Sequence, residues 1–294
     1  MRIARVFPVR TAATPVDELA FVDCEPGLFA PEVDEAHVSV AFSWHMQRAE
    51  HLAEAWRHVA PVQIGGPALN KPGAAFVPGR YVRAGYVITS RGCPNRCWFC
   101  SVWHREPGLL ELPIVDGTNI LDDNLLACSE RHVREVFAML SRQRGRVEFT
   151  GGLEAARLLP WHVELLAKLR PAQMFFALDT PDDEEPLRNA SRMLREAGFT
   201  RQQMRAYCLI GGPRDTLEQA EVRLRLCVEL GFFPMAMLWR DQNGITDPQW
   251  RAFQREWARP SIIYRKCAAE SCGGFTNSVQ QQQCKMPLDA VEVE

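Results

Sequence analysis

Three cysteines stand in the run Ser90-Arg91-Gly92-Cys93-Pro94-Asn95-Arg96-Cys97-Trp98-Phe99-Cys100, at spacing C-x3-C-x2-C. Thiolates are soft ligands, and cysteines held this tightly in one loop suit an iron–sulfur cluster or zinc. No fourth cysteine is near, since Cys24 lies well upstream and Cys128 well downstream. Three protein ligands on a four-iron cluster leave one iron open, and an open position is what catalytic metal sites keep. His104 follows closely, so a Cys3His zinc site is a second reading of the same loop, in a noncatalytic zinc- or nucleic-acid-binding protein whose arginine runs would meet phosphates. A disulfide reading is weaker, because the ten cysteines are scattered and no signal peptide precedes them.

Chemistry on one loop needs elements to hold it, and from residue 81 strands and helices alternate. Residues 85–89 read as a strand delivering the cysteines, and 119–121 as a short second strand. Strands at 147–150, 173–178, 205–210 and 234–239 follow. Between them Val133, Val136, Phe137 and Leu140 mark a helix, and further helices read at 161–169, 187–197 and 216–230. Alternation of this kind implies an α/β fold of parallel strands covered by helices. Such folds gather ligands at the carboxyl ends of the strands. The segments there are Asp122-Asp123-Asn124, Thr150-Gly151-Gly152-Leu153-Glu154, Asp179-Thr180-Pro181-Asp182-Asp183 and Ile210-Gly211-Gly212-Pro213-Arg214-Asp215-Thr216-Leu217-Glu218. Each has an ordinary structural reading as well: glycines make turns, and aspartates and threonines cap helices. Asp215 or Thr216 is expected to cap the helix that follows, with Glu218 in its first turn.

The cysteine loop resembles that of the radical S-adenosylmethionine (SAM) superfamily, and the later motifs resemble its cobalamin-type branches. The resemblance covers roughly 81–240, with a looser match at 35–67. It implies a partial (β/α)6 TIM-like barrel and one [4Fe–4S] cluster on Cys93, Cys97 and Cys100. It further implies that SAM binds the open iron and is reductively cleaved to a 5′-deoxyadenosyl radical, which abstracts hydrogen from a substrate the sequence does not name. Phe99, before the third cysteine, takes the family's aromatic place near adenine. Gly151 and Gly152 match a Gly-Gly-Glu segment that holds the methionyl amino group, with Leu153 where that glutamate stands and Glu154 one position late. Asp179 falls where a ribose contact is expected. Leu209 and Gly211 match positions whose backbone packs near adenine, and Arg214 replaces a glycine of the family's turn. An Asp-Asp-Asn segment recurs in these relatives, where acid pairs could bind substrate or deprotonate an intermediate. An external electron donor such as a flavodoxin or ferredoxin is implied.

The remainder of the chain frames this unit. Residues 1–30, broken by Pro8, Pro15, Pro26 and Gly27, read as loops and short extended pieces. A strand at 37–43, a helix at 46–58 and a strand at 59–64 make a βαβ unit, closed by Gly65-Gly66-Pro67. It resembles half of a Rossmann-like cobalamin domain, but no histidine lies in the Asp-x-His-x-x-Gly context that supplies a cobalt ligand, so cobalamin is not expected. Domains are drawn at 1–80, 81–245 and 246–294. In the last, Trp250, Phe253 and Trp257 suit a helix packed on the barrel. Cys267, Cys272 and Cys284 supply one ligand too few for a second structural cluster. Net charge is −2 in 294 residues, which gives no electrostatic case for nucleic acid or an anionic membrane; the arginine runs read as solvated helix faces. No stretch approaches the roughly 20 apolar residues of a membrane span. A cytoplasmic protein is expected, where thiols stay reduced.

Overall fold

The computed structural model describes residues 1–271 except 72, 74, 242, 243, 245 and 246. Cys272 and Cys284 lie outside the described residues, as does the Cys267 side chain.

The N-terminal unit carries two strands more than its sequence pattern suggests. β1 (Ile3–Phe7), β2 (Ala20–Val22), β3 (Glu35–Ser39) and β4 (Val62–Gly65) form an all-parallel sheet in the order β2-β1-β3-β4. β1 and β2 are the short extended pieces expected within residues 1–30, and they widen the expected βαβ unit to a four-stranded sheet. β1 is buried along its whole length, so it lacks the in–out alternation that marks a half-exposed strand. Arg5 interrupts its apolar run, yet its guanidinium donates to the carbonyls of Gly79 and Arg80 and pairs with Asp17. α1 (Met46–Trp56) lays Ala49, Leu52, Ala53 and Trp56 on the sheet, against Ala4, Val6, Ala36 and Val38. The Trp56 indole N–H donates to the Cys24 carbonyl at 3.1 Å. Trp56→Phe removes that bond and part of the packing, and should lower stability by about 1–2 kcal/mol in chemical denaturation.

The second sheet has six parallel strands: β5 (Tyr86–Val87), β8 (Asn119–Ile120), β9 (Glu148–Phe149), β10 (Gln173–Ala177), β11 (Met204–Ile210) and β12 (Phe233–Leu238). Between the first two, β6 (Ser90–Arg91) pairs antiparallel with β7 (Leu110–Glu111) around α2 (Val102–Arg105). The order is β12-β11-β10-β9-β8-β5, so each strand adds beside the one before it. The crossovers carry α3 (Glu130–Ser141), α4 (Pro160–Leu169), α5 (Glu184–Glu196) and α6 (Leu217–Glu229). Alternation within β11 separates two faces. Met204, Ala206, Cys208 and Ile210 are buried under helices, whereas Arg205, Tyr207 and Leu209 face the other way and are only half-buried.

α7 (Pro248–Trp257) and α8 (Pro260–Ser271) follow β12. Phe253 and Trp257 join Cys208, Ile210 and Leu224 in one buried cluster, which agrees with the expected packing of that helix. The segment joining the two sheets is fastened to both: Arg83 N donates to the Ala13 carbonyl, Tyr81 bonds His37, and Phe76 packs on the core of the second sheet.

Candidate functional site: the cysteine loop and the strand ends around it

Because the six strands run in parallel, the segments that follow them share one edge of the sheet. The cysteine loop leaves that edge after β5 and returns through β7, its neck set by register pairs Ser90 with Glu111 and Arg91 with Leu110. Gly92 sits at φ +83°, and a Cβ there would overlap the Gly108 carbonyl oxygen, so the two ends of the loop meet backbone to backbone. Within the loop, Cys100 N donates to the Cys97 carbonyl at 3.1 Å, and the Trp103 indole N–H donates to the same oxygen at 3.0 Å.

Cys93, Cys97 and Cys100 are all half-buried free thiols. Burial pushes the Cys97 thiol up, and the Cys100, Cys93, Asp183 and Asp179 charges push it further. Burial also raises Cys100, with Cys93 and Asp123 adding to it. The three sulfurs are thus electrostatic neighbours, and the carboxylates after β8 and β10 face them.

The Asp-Asp-Asn segment after β8 holds this loop. Asp122 is buried and accepts from Thr89 N at 2.6 Å, Thr89 Oγ1 at 2.6 Å and Ser90 Oγ at 2.7 Å. Burial nevertheless raises its carboxyl above the usual range. Asp123 accepts from Gly92 N at 2.9 Å and from Arg105 Nη2 at 2.8 Å, joining the start of the loop to the end of α2. Asn124 Nδ2 donates to Cys93 Sγ at 3.2 Å and to Glu154 Oε2 at 2.6 Å. All three side chains are engaged with the cysteine segment or its neighbours.

The displaced acid after β9 finds its place by the same logic. Leu153 is buried and its N–H donates to the Phe175 carbonyl, so it continues the packing of the sheet. Glu154 then reaches Asn124 and accepts from Arg157 Nε at 2.6 Å. Gly151 has no room for a side chain, because a Cβ would press on the backbone of Leu121 and Asp122. Gly152, at φ +107°, has open space around it.

After β10, Asp179 Oδ1 accepts from Leu209 N at 2.7 Å. Burial and the neighbouring Asp183 raise its carboxyl to about 6, against the opposing effect of the Leu209 bond. The helix-capping alternative belongs instead to Asp183, whose Oδ2 accepts from the N–H groups of Asp179 and Thr180. After β11, Gly211 takes φ +74°, and its N–H donates to Asp215 Oδ2, which Arg223 also binds at 2.7 Å. Thr216 is the residue that caps α6, through Gln219 N. Trp98, 60% exposed, lies over Gly212, where a Cβ would stand 3.0 Å from its ring, and meets Phe99 edge-on at 5.4 Å. The loop after β5 and the turn after β11 therefore touch.

Cys93, Cys97, Cys100, Phe99, Gly151, Gly152, Asp179, Leu209 and Gly211 thus all lie in the loop and at the strand ends around it. Asp123, Asn124, Arg105 and Trp98 are functional candidates whose parts the sequence left undefined. His104 is exposed, with its ring against Trp103 at 3.4 Å. Among the described residues no three His, Cys, Asp or Glu side chains converge to hold a single metal ion. Three half-buried thiols with an amide N–H on one sulfur are donors of the kind that iron–sulfur clusters take. A cleft of about 580 Å³ lies elsewhere, between α5 and the end of α6, lined by Arg188, Arg192 and Arg195. Among the described residues no helix is long and apolar enough to cross a membrane. Comparison with protein-family models and with curated proteins gives no match.

Proposed function

We propose that the chain is a radical SAM enzyme with one [4Fe–4S] cluster held by Cys93, Cys97 and Cys100, acting on a substrate still to be identified. The observation that carries this reading is the junction of three elements: a three-thiol loop, the Asp-Asp-Asn clamp that closes it, and the Glu154 carboxylate bridged to Cys93 through Asn124. The sequential parallel order of the six strands suits a partial (β/α)6 barrel. When bound, the cluster supplies the electron that cleaves SAM to methionine and the hydrogen-abstracting 5′-deoxyadenosyl radical.

The chain's own residues bind and orient. Glu154 offers a carboxylate to the methionyl ammonium, one position beyond the family's glutamate, because Leu153 is spent on the core. Phe99 and the backbone of Leu209 and Gly211 provide the surface for adenine. Gly152 lets SAM approach the backbone. Asp179 accepts from the ribose hydroxyls. The electron comes from outside, from a low-potential donor such as a flavodoxin or ferredoxin, and the exposed Trp98 marks where the loop meets solvent. Cobalamin is not part of the proposal, since no histidine stands in the cobalt-ligand context. The test is metal analysis of protein purified without oxygen. About four irons with matching sulfide are expected per chain, and stoichiometric zinc overturns the reading.

Asp179 yields a pH prediction. Burial raises its carboxyl from the ordinary 3.8 to about 6, so the folded state holds the proton more tightly. That contribution is complete below the lower value and is lost as pH rises through the higher one. Asp179→Asn should therefore be more stable than the parent at pH 7, by about 1–2 kcal/mol, with the gap closing toward pH 4. The same variant should raise the KM for SAM. Denaturant melts at the two pH values, with SAM titration, check both effects.

A further inference from the structure

We infer that Asn124 sets the reduction potential of the cluster by donating a hydrogen bond to the Cys93 sulfur. This rests on the assignment of the cluster to Cys93, Cys97 and Cys100, and adds a role that the resemblance does not supply. Asn124 is 3% exposed, and both N–H bonds of its amide are engaged: one to Cys93 Sγ at 3.2 Å, one to Glu154 Oε2 at 2.6 Å. Its orientation follows from chemistry. An ionised carboxylate only accepts, so the amide nitrogen and not the oxygen must face Glu154. Glu154 is held in turn by Arg157 Nε at 2.6 Å, which keeps the amide from turning away.

The other end of the amide supports the same conclusion. Asn124 Oδ1 is buried and has no hydrogen-bond partner among the described residues. A buried unpaired carbonyl is destabilising. A leucine, with the same branched skeleton, would avoid that cost, so the side chain is placed for its N–H groups. On a cluster thiolate, an N–H···S bond withdraws charge and stabilises the more negative, reduced state, and such bonds are among the factors that set cluster potentials. Asn124 thereby makes the cluster easier to reduce. It is a positioning residue, acting through Cys93.

The experiment is redox titration of the reconstituted cluster, followed by electron paramagnetic resonance, in the parent and in Asn124→Ala. The expected result is unchanged iron content, a more negative midpoint potential and a smaller reduced fraction at any fixed potential. An intact cluster with an unchanged potential in Asn124→Ala overturns the inference. A second measurement needs no substitution: with ¹⁵N-labelled asparagine side chains, pulsed resonance of the reduced parent cluster should show an amide nitrogen coupling, and its absence also overturns the inference. Failure of the underlying assignment looks different, since a parent protein that takes up no iron removes the cluster itself.

Discussion

Replacing any one of Cys93, Cys97 or Cys100 by alanine is expected to abolish 5′-deoxyadenosine formation and to strip the cluster of most of its iron. In the proposed cluster each thiolate would hold a different iron, and among the described residues no spare donor stands ready. Cys128, well downstream in sequence, comes back to Ser90 and the Asn124 carbonyl in the fold, but burial raises its thiol to about 11. His104, the one imidazole close in sequence, is exposed and lies on Trp103. The expected loss is at least about 100-fold in product, the scale of removing a group on which the whole site depends. Iron analysis and product chromatography check it, and a Cys128→Ala control should keep both iron and turnover. Full activity in all three single variants would remove the basis of the assignment.

Gly92→Ala should do nearly as much damage without touching a ligand. Two penalties coincide there. The residue sits at φ +83°, which costs an L-residue about 1–2 kcal/mol. The added methyl also overlaps the Gly108 carbonyl, and overpacking adds about 1–3 kcal/mol. Relief requires the neck of the loop to open, and that breaks the Gly92 N–H bond to Asp123 on which the loop's position depends. A stability loss of about 2–5 kcal/mol and poor iron incorporation are expected. Gly152→Ala is the matched control: it carries the backbone penalty at φ +107° but meets open space, so only the smaller cost should appear. Equal effects of the two substitutions on melting and iron uptake would show that the neck is not what shapes the loop.

The strands of the second sheet were legible because each is a short apolar run bounded by glycine, proline or charge, and the structure moves their bounds by only a residue or two. β1 was not legible, since burial on both faces removes its alternation and Arg5 breaks the apolar run. No pattern in sequence announces that this arginine is satisfied by carbonyls some 75 positions away. At the site, the cysteine spacing was enough to single out the three thiols, but the meaning of Asp122-Asp123-Asn124 was not legible. Caps and acid–base pairs have the same composition, and only the fold shows that Asp123 ties Gly92 to Arg105 and that Asn124 reaches Cys93. Glu154 is a similar case. Its one-residue displacement reads as a departure until Leu153 is seen to be buried, which leaves the next side chain to reach Asn124.

The central claim is reductive cleavage of SAM, and the most direct measurement is 5′-deoxyadenosine formation by the reconstituted protein, incubated with SAM and a strong reductant in the absence of oxygen. The account predicts 5′-deoxyadenosine and methionine in equal amounts, even without the native substrate, and none from the Cys93→Ala protein. A protein carrying a full complement of iron and sulfide that binds SAM but yields no 5′-deoxyadenosine on reduction would contradict it.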